Sequence, residues 1–283
     1  MEIVRKTDIS YDDFVQNHLI PGIPLVFTNA SKLWKANGVF TPDWFRTNYA
    51  DRTTAINNKE YTMKEVMDLV ESSSVDNPAP YPFLFNIPSD IPELLPYIEP
   101  VHLNYAQPNW IDSRLFKRGY WGNAVELFVG GPGGKFPYIH LDYYHLSAWV
   151  TQIYGEKRFT VFPRGQEHLL YPTPGNSWKS DVNLFEPDYE KHPLFKQATP
   201  ISFTVGPGET LYIPFGVWHS AYSLTPTISV AFDQLSQKNA PHFIKDVWLL
   251  KKEHGKIKAA LNTAYAAMSC VGCKIGDLTG VKR

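Results

Sequence analysis

The chain has 283 residues, of which 43% are hydrophobic and 14% aromatic, and its formal net charge is −1. This composition supplies a sizeable core, and the charge argues against a generally electropositive nucleic-acid binder. No apolar run approaches the roughly 20 residues of a membrane span, and no signal-peptide pattern is evident. Since only Cys270 and Cys273 are present, a secreted disulfide scaffold is excluded. We therefore expect a cytoplasmic (intracellular) protein with no membrane partner.

The N-terminal part shows helix-capping signals between short strand patterns. Ser10 is a candidate N-cap for a short helix to residue 19, and Thr41 precedes a proline at the first helical position. Thr62 and Glu65 fit a capping box for a helix ending near residue 71. Strand candidates lie at 23–27, 53–57 and 81–86. These patterns predict a small α/β portion, followed by a proline-rich, irregular segment.

From residue 124 onward, short apolar runs alternate with glycine and proline turns, a pattern typical of a sandwich or barrel. The predicted strands are 124–130, a strand around His140, 149–153, 158–162, 201–205, 210–213, 218–223 and 227–232. A glycine-rich loop at 130–134 and a long insertion at 164–200 interrupt them. The central region is therefore predicted to be a β-barrel.

The C-terminal region changes to helical spacing over 238–269, with a break near His254 and Gly255. The chain is thus predicted to be α+β, with a catalytic-type domain over 1–237 and a helical tail over 238–283. Cys270 and Cys273 have the spacing of half a zinc site, but two unremarkable thiols explain them as well. The apolar stripe of the helices can pack on the barrel or on a partner chain.

His140, Asp142 and His219 are the candidate metal ligands. In a strand, His140 and Asp142 would point to the same face. His219 follows a turn in a second strand context, and a barrel brings distant strands together. Two histidines and one carboxylate leave three positions of an octahedral ion open, as Fe(II) oxygenases require. The alternative is a hydrogen-bonded core pair, with His219 capping a turn.

Several segments resemble the Jumonji-C (cupin-like) branch of the Fe(II)- and 2-oxoglutarate-dependent oxygenases, nearest to the protein lysyl and asparaginyl hydroxylase types. The matching segments are His140–Asp142, Ser147–Trp149, Gly155–Pro163 and Gly206–His219. The resemblance covers roughly residues 10 to 235. It implies a double-stranded β-helix, the cupin or jelly-roll barrel, with iron held by His140, Asp142 and His219. It also implies Fe(II), 2-oxoglutarate as co-substrate, and O2.

In this family a basic residue inside the barrel pairs with the distal carboxylate of 2-oxoglutarate, and the matching residue here is Lys157. The alternative is that Lys157 and Arg158 flank a strand on the solvent side. The chain departs from the lysyl-hydroxylase pattern at Val150 and Ala231, where that type has an asparagine and a threonine, and Asp233 replaces a nearby asparagine.

Either hydroxyl support for 2-oxoglutarate comes from other residues, or the co-substrate is held differently. The family places a tyrosine on an early strand, where this chain offers Phe83 or Tyr81. The further candidates are Thr151, Tyr138, Thr160 and Ser229.

The resemblance implies hydroxylation of a C–H bond, with decarboxylation of 2-oxoglutarate to succinate. A protein or peptide side chain is the expected substrate, and a small molecule or a modified tRNA base is the alternative within the same chemistry. A non-catalytic cupin-like binding module is the alternative from another class, although an intact ligand set argues against it. Relatives dimerise through C-terminal helices, so a homodimer is compatible with the pattern. Candidate substrate contacts are Trp110, Trp121, Asn123, Tyr143, Tyr144 and His145.

Overall fold

The computed structural model describes residues 2–101, 103–116, 125–136 and 138–280. Its N-terminal helices are α1 (Tyr11–Phe14), which continues as a π-helix over Val15–Leu19, α2 (Pro42–Asn48), α3 (Met63–Ser72) and the short α4 (Ile87–Asp90). The predicted caps are confirmed, since the side chains of Ser10, Thr41 and Thr62 accept hydrogen bonds from the first turns of α1, α2 and α3.

Fourteen strands lie in the described part of the chain. They are β1 (Val4–Lys6), β2 (Leu25–Phe27), β3 (Thr53–Ile56), β4 (Lys59–Thr62), β5 (Phe83–Asn86), β6 (Glu126–Gly130), β7 (Ser147–Tyr154), β8 (Lys157–Phe162), β9 (Pro172–Thr173), β10 (Asn176–Ser180), β11 (Ile201–Val205), β12 (Thr210–Ile213), β13 (Trp218–Ser223) and β14 (Thr227–Gln234). Short 3-10 helices fill much of the irregular segment after α4.

The strands form two principal sheets that face each other. One sheet has seven strands in the order β1-β2-β12-β7-β14-β6-β5, and the other has three in the order β11-β8-β13. Buried residues of both sheets share one apolar cluster, in which Phe159 of β8 and Val205 of β11 meet Leu211 of β12. This arrangement confirms the predicted α+β, double-stranded β-helix (cupin/jelly-roll) fold.

The N-terminal elements cover the outer face of the seven-stranded sheet. Phe14 of α1 is fully buried there, with its ring centroid 5.0 Å from that of Tyr212 and 5.7 Å from that of Trp149. The aromatic side chains of Phe14, Trp149 and Tyr212 therefore pack on the outer face of this sheet.

Two C-terminal helices follow the barrel, α5 (Ala240–Lys251) and α6 (Lys256–Thr279). The predicted break near His254 and Gly255 is confirmed, and Gly255 has a φ of 116° that favours glycine. Cys270 and Cys273 are buried in the apolar cluster that includes these helices and form no disulfide. None of the described helices combines the length and apolar character of a membrane span. The domain boundary at residue 237 stays a prediction.

The strand predicted around His140 is wrong. His140 forms only isolated β-bridges, to His219 and to Lys179. Asp142 leads directly into a 3-10 turn over Tyr143–His145, so the chain leaves the extended conformation at this point. Strand alternation is therefore not the reason that His140 and Asp142 approach each other.

Candidate active site

The structure brings the three predicted ligands together. The candidate ligand atoms of His140, Asp142 and His219 all lie within 4.8 Å of one another. His219 Nε2 is 3.7 Å from Asp142 Oδ1, and the two imidazole centroids are 4.3 Å apart. The backbones of His140 and His219 exchange two hydrogen bonds of 2.9 Å, and this bridge fixes one ring beside the other.

The protonation of this group suits metal binding. His219 Nδ1 donates to the Val217 carbonyl at 3.0 Å, which leaves the Nε2 lone pair directed toward Asp142. Burial, and next the neighbouring His219, holds the pKa of His140 well below its ordinary value, so its ring is neutral. Burial raises the pKa of Asp142, an effect that a cation at this position would oppose. Two imidazoles and one carboxylate fit the donor preference of Fe(II).

A cavity of about 640 Å³ opens beside these ligands, between the two sheets. Lys157 lies in its wall, only 2% exposed. Its Nζ donates to Ser229 Oγ at 3.0 Å, and Ser229 Oγ donates to Gln152 Oε1 at 2.7 Å. Burial lowers the pKa of Lys157 to about 7, and no carboxylate in the described chain forms an ion pair with it. The cavity thus contains a buried amine whose charge would be stabilised by an incoming anion.

The predicted support residues lie in different places. Tyr138 lines the cavity, with the Lys179 Nζ 4.6 Å from its ring centroid. Thr151 does not line the cavity, because alternation along β7 turns Val150 into the cavity and Thr151 away from it. The Thr151 hydroxyl instead hydrogen-bonds to that of Thr210 at 2.9 Å.

Of the remaining candidates for hydroxyl support, some lie at the cavity and others lie elsewhere. Ser229 reaches Lys157, as described above, whereas the Thr160 hydroxyl hydrogen-bonds to Ser202 at 2.8 Å. Of the two early aromatic residues, Tyr81 lines the cavity and Phe83 belongs to the N-terminal core. Burial raises the pKa of the Tyr81 phenol, which is therefore protonated.

Sequence reasoning missed Gln152 and Glu126. Gln152 lies two residues after Val150, so strand alternation alone would have placed it on the cavity side. Glu126 begins β6 and lines the cavity together with Asp233 of β14. No sequence pattern marked Glu126, because its position depends on the pairing of β6 with β14.

The cavity has opposite electrostatic character at its two ends. Burial, and next Asp142, raises the pKa of Glu126 to about 7. Burial also raises the pKa of Asp233 well above its ordinary value, and Asp142 and Glu126 add to this effect. Between these acids and Lys157 lie Val150 and Ala231, which are direct partners in the β7–β14 ladder.

The predicted substrate contacts divide into three groups. Tyr143 and Tyr144 line the cavity. His145 instead hydrogen-bonds to Asp246 of α5, and Trp110 donates to Asp277 at 2.7 Å. Trp121 and Asn123 lie outside the described residues.

Two facing sheets with a two-histidine, one-carboxylate cluster define a double-stranded β-helix protein with a candidate metal centre. The chain belongs to the family of cupin-like domains, whose model matches residues 11–233. The match includes the three candidate ligands and Lys157.

The chain is also similar to curated Jumonji proteins. It is 24% identical over 269 residues to "Arginine-specific demethylase JMJ20" of Arabidopsis thaliana, covering 84% of this chain and 58% of that protein. It is 25% identical over 246 residues to "Bifunctional arginine demethylase and lysyl-hydroxylase psr-1" of Caenorhabditis briggsae, covering 82% and 60%. The similarity to human "HSPB1-associated protein 1" is 34% over 114 residues, covering 38% and 23%. The chain therefore spans less than two thirds of these relatives, and the predicted Jumonji-C resemblance is confirmed.

Proposed function

We propose that this protein is an Fe(II)- and 2-oxoglutarate-dependent oxygenase that hydroxylates a C–H bond of a cationic amino-acid side chain in a protein or peptide. The observation that carries the proposal is the presence of His140, Asp142 and His219 in one cavity with the buried Lys157. Fe(II) binding would use the three ligands, and 2-oxoglutarate binding would use the lysine.

The chain's own residues would bind and orient the reactants. When bound, Fe(II), 2-oxoglutarate and O2 supply the oxidising chemistry, with succinate and CO2 as the co-products. Lys157 would form an ion pair with the distal carboxylate of 2-oxoglutarate, away from bulk water. Ser229 and Gln152 hold the lysine amine in place. The apolar side chains of Val150 and Phe159 line this end and limit access of water.

The acidic end of the cavity supports a cationic substrate group. Burial, and next the nearby Asp142, raises the pKa values of Glu126 and Asp233, and Glu126 adds to the rise at Asp233. A lysine or arginine side chain entering the cavity would stabilise their ionised forms and gain charge-assisted hydrogen bonds. The names of two of the similar proteins include arginine demethylase, and one of these two names also includes lysyl-hydroxylase.

The test is anaerobic reconstitution with Fe(II), followed by measurement of 2-oxoglutarate conversion to succinate when O2 is admitted. We expect turnover that depends on iron and is abolished in His140→Ala, because one of three ligands is lost. Peptides with lysine or arginine should stimulate turnover and gain 16 Da by mass spectrometry, whereas matched norleucine peptides should not.

A His18→Ala variant is the matched control, because His18 is a buried histidine that hydrogen-bonds to Ile23 outside the cavity. Equal succinate formation by wild type and His140→Ala would contradict the oxygenase proposal. Binding of metal and 2-oxoglutarate without any turnover would instead favour the cupin-like binding module. Equal stimulation by norleucine peptides would exclude only the cationic substrate.

The proposal also includes an intracellular location. It further includes a homodimer formed through α6. Large apolar side chains on α6 follow the a/d pattern of a coiled coil, with alternating spacings of three and four residues, except that the position between Leu261 and Met268 is Ala264. They are Ile257, Leu261, Met268, Val271, Ile275 and Leu278, which are 55–81% exposed. The opposite face of the helix, which includes Ala266 and Cys273, packs in the cluster with α5. The exposed stripe fits a second copy of the same helix.

A further inference from the structure

The segment directly after Asp142 has a strained backbone. Tyr144 has a φ of 58° and His145 a φ of 48°, both in the left-handed region that side chains with a Cβ atom seldom adopt. Two successive residues of this kind persist only where the surroundings hold them. Since this turn immediately follows a candidate metal ligand, whatever holds the turn also affects where the Asp142 carboxylate lies.

Two residues hold the turn, the N-cap residue of α5 and a residue in the middle of that helix. Asn239, which is fully buried, donates from Nδ2 to the His145 carbonyl at 3.0 Å and to the Gln234 carbonyl at 2.9 Å. Asp246, 2% exposed, accepts a hydrogen bond from His145 Nδ1. The His145 backbone and ring are therefore both bonded to residues that lie beyond the family match, which ends at residue 233.

Apolar contacts fix the same segment on the same helix. The ring of Tyr144 lies 5.8 Å from that of Phe243, and Leu146 is buried in a cluster with Phe243 and Val247. Tyr144 also lines the cavity, so the turn separates α5 from the candidate metal centre.

We infer that Asp246 of α5 and Asn239, the N-cap residue before it, are positioning residues for the metal centre, holding the Tyr144–His145 turn so that the Asp142 carboxylate faces the two histidines. The helical tail is then a necessary part of the metal site. This inference rests on the proposed function, since it assumes a divalent metal at His140, Asp142 and His219.

The test is calorimetric titration of the full chain with Mn(II), which reports metal affinity without turnover. We expect Asp246→Ala to weaken Mn(II) binding about 10- to 100-fold, the usual effect of losing a group that orients a ligand. Asp246→Asn keeps an oxygen acceptor for His145 Nδ1 and should bind within about threefold of wild type. If Asp246→Ala does not fold, His145→Ala serves instead, because its ring is partly exposed at the surface.

Two controls separate positioning from general stability. Lys245→Ala changes an exposed neighbour on α5, and His18→Ala removes a buried histidine elsewhere. Both should retain wild-type Mn(II) affinity, whatever their free energy of unfolding. Wild-type affinity in Asp246→Ala or His145→Ala, with only the unfolding free energy lowered, would overturn the inference while leaving the proposed function intact. Absence of Mn(II) binding by the wild-type protein would overturn both.

Discussion

Lys157 shows at the scale of one residue why the cavity should bind an anion. An amine buried between two sheets loses its hydration, and the hydroxyl of Ser229 replaces only part of it. The neighbouring Arg158 points to the other face of β8 and is exposed. Two adjacent basic residues therefore have different roles, because strand alternation separates them.

We predict that Lys157→Met weakens 2-oxoglutarate binding roughly 100-fold, because the distal carboxylate of 2-oxoglutarate would then be buried in the cavity without a cationic partner. Arg158→Met should bind as wild type does. The measurement is calorimetric titration of the Mn(II)-loaded proteins with 2-oxoglutarate. Unchanged affinity in Lys157→Met would remove this residue from the binding site.

The depressed pKa of Lys157 also predicts a pH dependence. In the unliganded protein the amine loses its proton as pH rises through about 7, so 2-oxoglutarate must bind together with a proton above that pH. Affinity should therefore fall by up to about tenfold per pH unit above pH 7, and titrations in buffers of different ionisation enthalpy should detect proton uptake.

The difference between the pKa of Lys157 in the folded and in the unfolded chain also makes the stability of the protein depend on pH. An unfolded lysine keeps its proton to about pH 10.4, so unfolding of the unliganded protein takes up a proton between pH 7 and that value. The contribution of Lys157 to the free energy of unfolding therefore rises with pH across this window. Lys157→Met should show a flatter pH dependence, both in stability and in 2-oxoglutarate affinity. Equal slopes in the two proteins would contradict the assignment of the proton to Lys157.

At the scale of the strand and turn, register decides which side chains reach the cavity. β7 turns Val150 inward and Thr151 outward, and β14 presents Ala231 and Asp233 opposite it. A slip of one residue would reverse every one of these directions. The tight turn between β7 and β8 therefore matters for the site, because it sets where Lys157 begins β8.

We predict that Gly155→Ala, in this turn, destabilises the protein by about 3 kcal/mol or more. Gly155 has a φ of +71°, and an added Cβ would lie 1.9 Å from the Pro226 carbonyl oxygen. Gly208→Ala is the matched control, since Gly208 has a φ of +84° but no atom within 4 Å of the added Cβ. It should cost only about 1–2 kcal/mol. Urea unfolding measures both values, and equal losses would show that the contact with Pro226 contributes nothing.

At the scale of the whole molecule, the helical pair of α5 and α6 packs on the barrel with one side and presents an exposed apolar surface on the other. One side of this helical pair holds the turn after Asp142, and the other presents the stripe from Ile257 to Leu278. A helix of 24 residues is about 36 Å long, enough for three heptads of a coiled-coil seam.

We predict that the wild-type protein is a dimer in solution and that Met268→Asp combined with Ile275→Asp makes it monomeric. Both positions belong to the apolar stripe, and charges there would have to be buried at the seam without partners. Lys245→Asp, on an exposed part of α5, should remain dimeric. Analytical ultracentrifugation distinguishes the two states, and a monomeric wild-type protein at micromolar concentration would contradict the prediction.

Features that depend on neighbouring residues could be predicted from the sequence. The caps at Ser10, Thr41 and Thr62 involve hydrogen bonds within one helical turn, so they are visible in the sequence and present in the structure. The three candidate ligands were also identified correctly as a spatial group, although through a recognisable family pattern and with a wrong local explanation.

Features that depend on pairing between distant segments could be found only in the folded structure. The pairing of β7 with β14 brings Ser229 opposite Gln152, 77 positions away, and so connects Gln152 through Ser229 to Lys157. The contact between His145 and Asp246 joins residues 101 positions apart. Such contacts follow from the packing of whole sheets and helices, and no local pattern encodes them. The candidate ligands could therefore be predicted together with Lys157, whereas Glu126, Asn239 and Asp246 could not.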